Sequence, residues 1–87
     1  MHPLQLIYHR LFSRPIFILA INQGKVRLLR GEVPPGFVRE LREIIKGQGV
    51  RTGFVLASKK GDRRMLKISK EIPASIHQRI RNVWGYY

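Results

Sequence analysis

The sequence predicts an α+β domain: tandem duplicated ββα units forming a four-stranded antiparallel sheet with two helices on one face. A short N-terminal amphipathic helix precedes them. Three observations lead there. First, Phe17 to Ile45 and Phe54 to Trp84 run in parallel: Phe17 matches Phe54, Leu19 matches Leu56, Ala20 matches Ala57, Gly24 matches Gly61 and Arg27 matches Arg64. After a shift of two residues, Glu32 meets Glu71, Pro34 meets Pro73 and Arg42 meets Arg81. A self-match of this length marks a repeated supersecondary unit. Second, each half opens on a short apolar run closed by turn residues, which is the pattern of a strand. Third, each hairpin is followed by proline and then by apolar residues at helical spacing.

The elements follow in order. Residues 1–13 carry Leu4, Ile7, Tyr8 and Leu11 on one helical face, with Pro3 suited to a first turn. Such a segment packs on its own sheet, on a partner, or on a membrane surface. Ile16 to Ile21 are apolar without alternation, so a strand from Pro15 to Asn22 is expected to be covered on both faces. Asn22 to Lys25 form the turn, Gly24 supplying positive φ, and Lys25 to Arg30 return. Pro34 and Pro35 end the sheet, because neither can donate to a ladder. A helix then runs from Pro35 to Lys46 with Phe37, Val38, Leu41, Ile44 and Ile45 inward, and Gly47-Gln48-Gly49 stops it.

The second unit repeats the plan with more charge. Arg51 to Ser58 is a strand, Lys59 to Asp62 the turn, and Arg63 to Ser69 the return strand. Pro73 to Val83 is the second helix, with Ile76, Ile80, Val83 and Trp84 inward. The chain is one domain: 1–13, a first unit 15–46 and a second unit 51–84. The duplication predicts an approximate two-fold axis. Strands that are apolar on both faces ask for cover on the second face, from the N-terminal helix or a second copy. A homodimer is expected for that reason.

The stretches Gly31-Glu32-Val33-Pro34-Pro35-Gly36-Phe37 and Ile72-Pro73-Ala74-Ser75-Ile76-His77-Gln78-Arg79-Ile80-Arg81-Asn82 carry a resemblance. They are similar to a family of short, basic bacterial proteins known only as a domain of unknown function. The likeness runs from about Phe17 to Trp84, and the closing Gln-Arg-x-Arg-Asn is its most specific part. It implies a bacterial origin and brings no activity with it. Members of that family usually begin with a longer apolar segment than the charged, shorter one here.

Charge sets the expected function. Seventeen Lys and Arg against five Asp and Glu leave a net charge of +12 on 87 residues, a field that favours polyanions. The second hairpin holds Lys59, Lys60, Arg63, Arg64 and Lys67 around its turn, where cations can reach phosphates. The first hairpin keeps Lys25 and Arg27, and the last helix adds Arg79 and Arg81. The expected partner is nucleic acid or the ribosome, with weak sequence preference. Two related basic tips suit a roughly symmetric duplex. The sequence offers no stacking platform: Phe17 and Phe54 are the only mid-strand candidates and both read as core. The alternatives are a protein-interaction or self-associating module, and a peripheral protein on an anionic membrane surface.

Catalysis is not expected. Glu32 and Glu71 occupy matching places ahead of each helix, where a carboxylate complements the helix dipole and accepts backbone N–H bonds. His2, His9 and His77 lack metal-ligand spacing, and no phosphate-loop motif is present. No cofactor is implied. Cysteine is absent, which removes disulfides and suits a cytoplasmic setting, peripheral to the inner membrane face in the membrane alternative. The apolar residues before Ala20 are interrupted by His9, Arg10 and Arg14, short of an uninterrupted membrane span.

Overall fold

The computed structural model describes residues 14–87; the expected N-terminal helix, residues 1–13, lies outside them. The elements are β1 (Arg14–Asn22), β2 (Lys25–Gly31), α1 (Pro35–Gln48), β3 (Thr52–Lys60), β4 (Arg63–Ile68) and α2 (Ala74–Trp84). The strands form one sheet in the order β2-β1-β3-β4, every neighbouring pair antiparallel. This is the α+β architecture that the sequence predicts.

Turn chemistry fixes both hairpins. At the first, Gln23 and Gly24 both take positive φ, 52° and 76°, the pairing a tight hairpin with the native strand twist demands. At the second, only Gly61 does, at 60°. That arrangement puts glycine at the first central position, and so the strand runs further than the sequence suggests. Lys59 and Lys60, expected in the turn, are strand residues facing Arg64 and Arg63.

The core lies between the sheet and both helices. Phe17, Leu19 and Ile21 of β1, with Val55 and Ala57 of β3, present alternate side chains to the buried stripes of α1 (Phe37, Leu41, Ile44, Ile45) and α2 (Ile76, Ile80, Trp84). At its centre three rings meet: Phe17 and Phe37 at 5.6 Å, Phe17 and Trp84 at 5.2 Å, Phe37 and Trp84 at 5.2 Å between centroids. The two contacts with Trp84 are edge-to-face, the geometry aromatic quadrupoles favour. Tyr87 closes over Phe37 from the C-terminus.

The helix starts differ from expectation. Pro34 and Pro73 are the capping residues, with no side-chain cap, so Glu32 and Glu71 do not accept backbone N–H bonds there. Instead the Pro34 carbonyl accepts from Phe37 and Val38, and the Pro73 carbonyl from Ile76. Proline's fixed φ pre-forms the first turn and makes an acidic cap unnecessary. At the other end of α1, Gly49 is left-handed at φ 66° and Val50 N–H returns to the Ile45 carbonyl, closing the helix.

Gly47, by contrast, lies inside α1 with no atom within 4 Å of an added Cβ. Gly47→Ala should therefore stabilise the domain by about 0.4–1 kcal/mol through the unfolded chain. The check is a melting temperature raised by a few degrees; an unchanged or lower value would contradict it.

The two halves also differ in which residues they bury. Cross-strand partners share a face, and the register pairs Phe17 with Ala57 and Phe54 with Ala20, so the sequence match and the pairing disagree by one residue. Phe17 is buried against the helices, whereas its sequence counterpart Phe54 is 36% exposed on the other face. Likewise Arg27 shares a row with Ala20 and Phe54, while Arg64 lies on the helix side over Trp84. Further on, the longer offset brings like to like: Phe37 and Ile76 are both buried, as are Leu41 and Ile80.

Candidate nucleic-acid interface

None of the four strands contains an acidic residue, and cations occur in all of them. Cross-strand register decides which cations act together. On the face away from the helices, one row reads Arg27, Ala20, Phe54 from β2 through β1 to β3. The next reads Arg30, Ile18, Leu56, Lys67 across the whole sheet. Ser58 and Met65 pair in the row beyond, and Lys60 faces Arg63 nearest the second turn. Among the described residues, this open face is thus an apolar strip with cations on both edge strands.

Phe54 is held at the start of β3 by a two-way bond. Its N–H donates to Ser69 Oγ at 2.9 Å, and its carbonyl accepts the Ser69 N–H at 3.0 Å. Met65, 44% exposed, continues the apolar strip on β4.

The predicted site residues divide. Lys60, Arg63, Lys67 and Arg27 share the open face. Arg64 does not: its guanidinium carbon sits 4.5 Å above the Trp84 ring, a cation–π contact, and Lys59 is its cross-strand partner on that side. Arg81 is also engaged, donating from Nη1 to the Leu66 carbonyl at 2.8 Å on the outer edge of β4. That bond occupies an acceptor which an edge strand otherwise leaves open. Arg79 lies on the helical side, lining a hollow with Glu40, Glu43 and Val83.

Lys25 belongs to a second cluster. It lines a hollow of about 550 Å³ with Arg42, Lys46 and Arg51 at the Asn22 end of β1. Asn22 pairs with Thr52, and Arg14 pairs with Lys59, so the two hairpin tips point to opposite ends of the sheet. The nine residues of β1 separate them by about 30 Å. Neither hollow nor row brings all the predicted cations together.

Sequence reasoning assigned Phe54 to the core and did not single out Arg30, Arg42, Lys46 and Arg51. The spacing of Arg42 and Lys46 by four residues puts them on one helical face and was available from sequence. Arg51 joins them only because the order β2-β1-β3-β4 lays β3 beside β1. Two further polar side chains are hydrogen-bonded: His77 Nε2–H donates to the Ile72 carbonyl at 2.7 Å, and Gln78 donates to Asn82 Oδ1 at 2.8 Å. Among the described residues, no group of His, Asp or Glu could hold a metal ion, and no helix is long and apolar enough to cross a membrane.

A small α+β domain with a cationic, partly apolar open sheet is the class these features define. The chain belongs to the family described as Protein of unknown function (DUF3634), whose family model matches residues 3–87. No curated protein and no solved structure matches the chain.

Proposed function

We propose that this chain is a non-enzymatic binding protein for nucleic acid or ribonucleoprotein, acting through phosphate contacts. One observation carries the reading: cations from both edge strands, Arg27 and Arg30 on one side and Lys67 on the other, meet on a face whose strands hold no carboxylate. Positive charge gathered on strands without carboxylates attracts polyanions at long range and releases their counterions on contact. Lys60 and Arg63 extend the same face to the second turn. Contacts of this kind position a backbone without reading bases, so sequence preference is weak.

The test is fluorescence anisotropy with labelled duplex DNA, single-stranded RNA and a structured RNA across a salt series. A variant carrying Lys60→Glu, Arg63→Glu and Lys67→Glu is compared with wild type. Each lost phosphate contact should reduce the slope of log K against log salt by about one. Arg79→Glu, on the helical side, should leave binding nearly unchanged. Failure to bind any of the three ligands at low salt would end the nucleic-acid reading; undiminished binding by the triple variant would move the site elsewhere.

A further inference from the structure

We infer that the open sheet face takes a single strand of nucleic acid, its bases lying on Phe54 and its phosphates running to Arg27, Arg30 and Lys67. The inference rests on the nucleic-acid reading above and names the ligand class. Its starting point is the exposed ring of Phe54, which the core does not use. The neighbour across the ladder is Ala20, too small to cover the ring, and beyond Ala20 in the same row stands Arg27. The two-way bond between Phe54 and Ser69 fixes the backbone that carries the ring. A groove of about 470 Å³ continues from Phe54 along β4, lined by Leu56, Met65, Lys67 and Arg81. Apolar floor and cationic walls meet in it.

Geometry favours an unpaired strand. The β2 and β4 rims are three inter-strand spacings apart, about 14 Å. A strip this narrow admits splayed bases on its floor with phosphates at either wall. A duplex offers only its phosphate ridges to a flat surface, with its base faces already stacked, and leaves the Phe54 ring unmatched. A second copy set face to face brings the Arg27, Arg30 and Lys67 rims against each other, with no strand carboxylate to offset them. Stacking on an aromatic ring is tolerant of base identity because every base has a π-face.

The experiment uses the full chain with a labelled ten-nucleotide oligothymidylate and a ten-base-pair duplex. The set of variants is Phe54→Ala, Phe54→Trp and Arg30→Glu, each checked for an unchanged melting temperature. Wild type should bind the single strand more tightly than the duplex. Phe54→Ala should weaken single-strand binding by about five- to a hundred-fold with an unchanged salt slope, and leave duplex binding alone. Phe54→Trp should retain the affinity. Arg30→Glu should lower the salt slope by about one. Duplex preference, or a single-strand affinity indifferent to Phe54→Ala, overturns the platform while the phosphate-contact reading stands. Absence of binding to either ligand at low salt overturns both. Phe54-dependent sedimentation with phosphatidylglycerol vesicles, without single-strand binding, assigns the face to lipid instead.

Discussion

Phe17→Ala will cost the domain about 3–5 kcal/mol, the range for removing a fully buried aromatic side chain. Phe17 is wholly inaccessible and touches both other members of the ring cluster, Phe37 from α1 and Trp84 from α2. Its loss opens a cavity where the sheet meets both helices. Two ring contacts vanish with it, one edge-to-face with Trp84 and one tilted with Phe37, and aromatic pairs are worth about 0.5–1.5 kcal/mol beyond area burial. Domains of this size are typically stable by only about 5–15 kcal/mol, so the fraction lost is large. Urea denaturation should show a much lower midpoint, and melting should fall by about 12 °C or more. Phe54→Ala is the matched control: the same chemical change on an exposed ring should cost less than about 1 kcal/mol. A Phe17 variant as stable as the Phe54 variant would mean that the core is centred elsewhere.

Gly31→Ala comes next in size, and its cause is backbone rather than packing. Gly31 has φ 81° at the end of β2, where it pairs with Phe17. A Cβ there would press on the Ile16 carbonyl oxygen and lie 2.8 Å from its carbon and 2.9 Å from Phe17 Cα. All three are main-chain atoms of the neighbouring strand and cannot rotate aside. The same Ile16 oxygen accepts the Glu32 N–H at 3.1 Å, so any retreat of β1 also loosens the sheet exit. The left-handed conformation costs a non-glycine residue about 1–2 kcal/mol. Forcing a carbon into occupied space adds about 1–3 kcal/mol. Melting should fall by about 10 °C or more. A near-wild-type melt would show that β1 and β2 can part without cost, and a drop confined to Gly31 and absent from Gly47 would separate strain from loss of flexibility.

The fold was legible because its signals were local. Turn glycines at 24 and 61, paired prolines, and helical stripes at Phe37-Leu41-Ile44 and Ile76-Ile80 each act over a few residues. The candidate site was not, and the reason is the period of a strand. Phe54 aligns with Phe17 and both read as core, but the register pairs Phe54 with Ala20 on the other face, and strands apolar on both sides give no alternation to reveal it. Arg64, expected with the other cations of the second hairpin, lies instead on the helix side over Trp84. Long-range pairings supplied the rest: nothing near Arg30 in sequence says that Ile18, Leu56 and Lys67 complete its row. Charge was visible as a total, but its allocation to faces needed the register.

The perch of Arg64 on Trp84 has a spectroscopic consequence. Trp84 is the chain's single tryptophan, so emission excited at the long-wavelength edge of its absorption, where tyrosine absorbs little, is a one-site signal. One end of the contact belongs to the aromatic centre of the core and the other to β4, beside the second turn. A polyanion that draws the guanidinium toward itself must lift a positive charge from the indole face. The protein thus carries its own unlabelled optical gauge, wired between the hairpin and the interior.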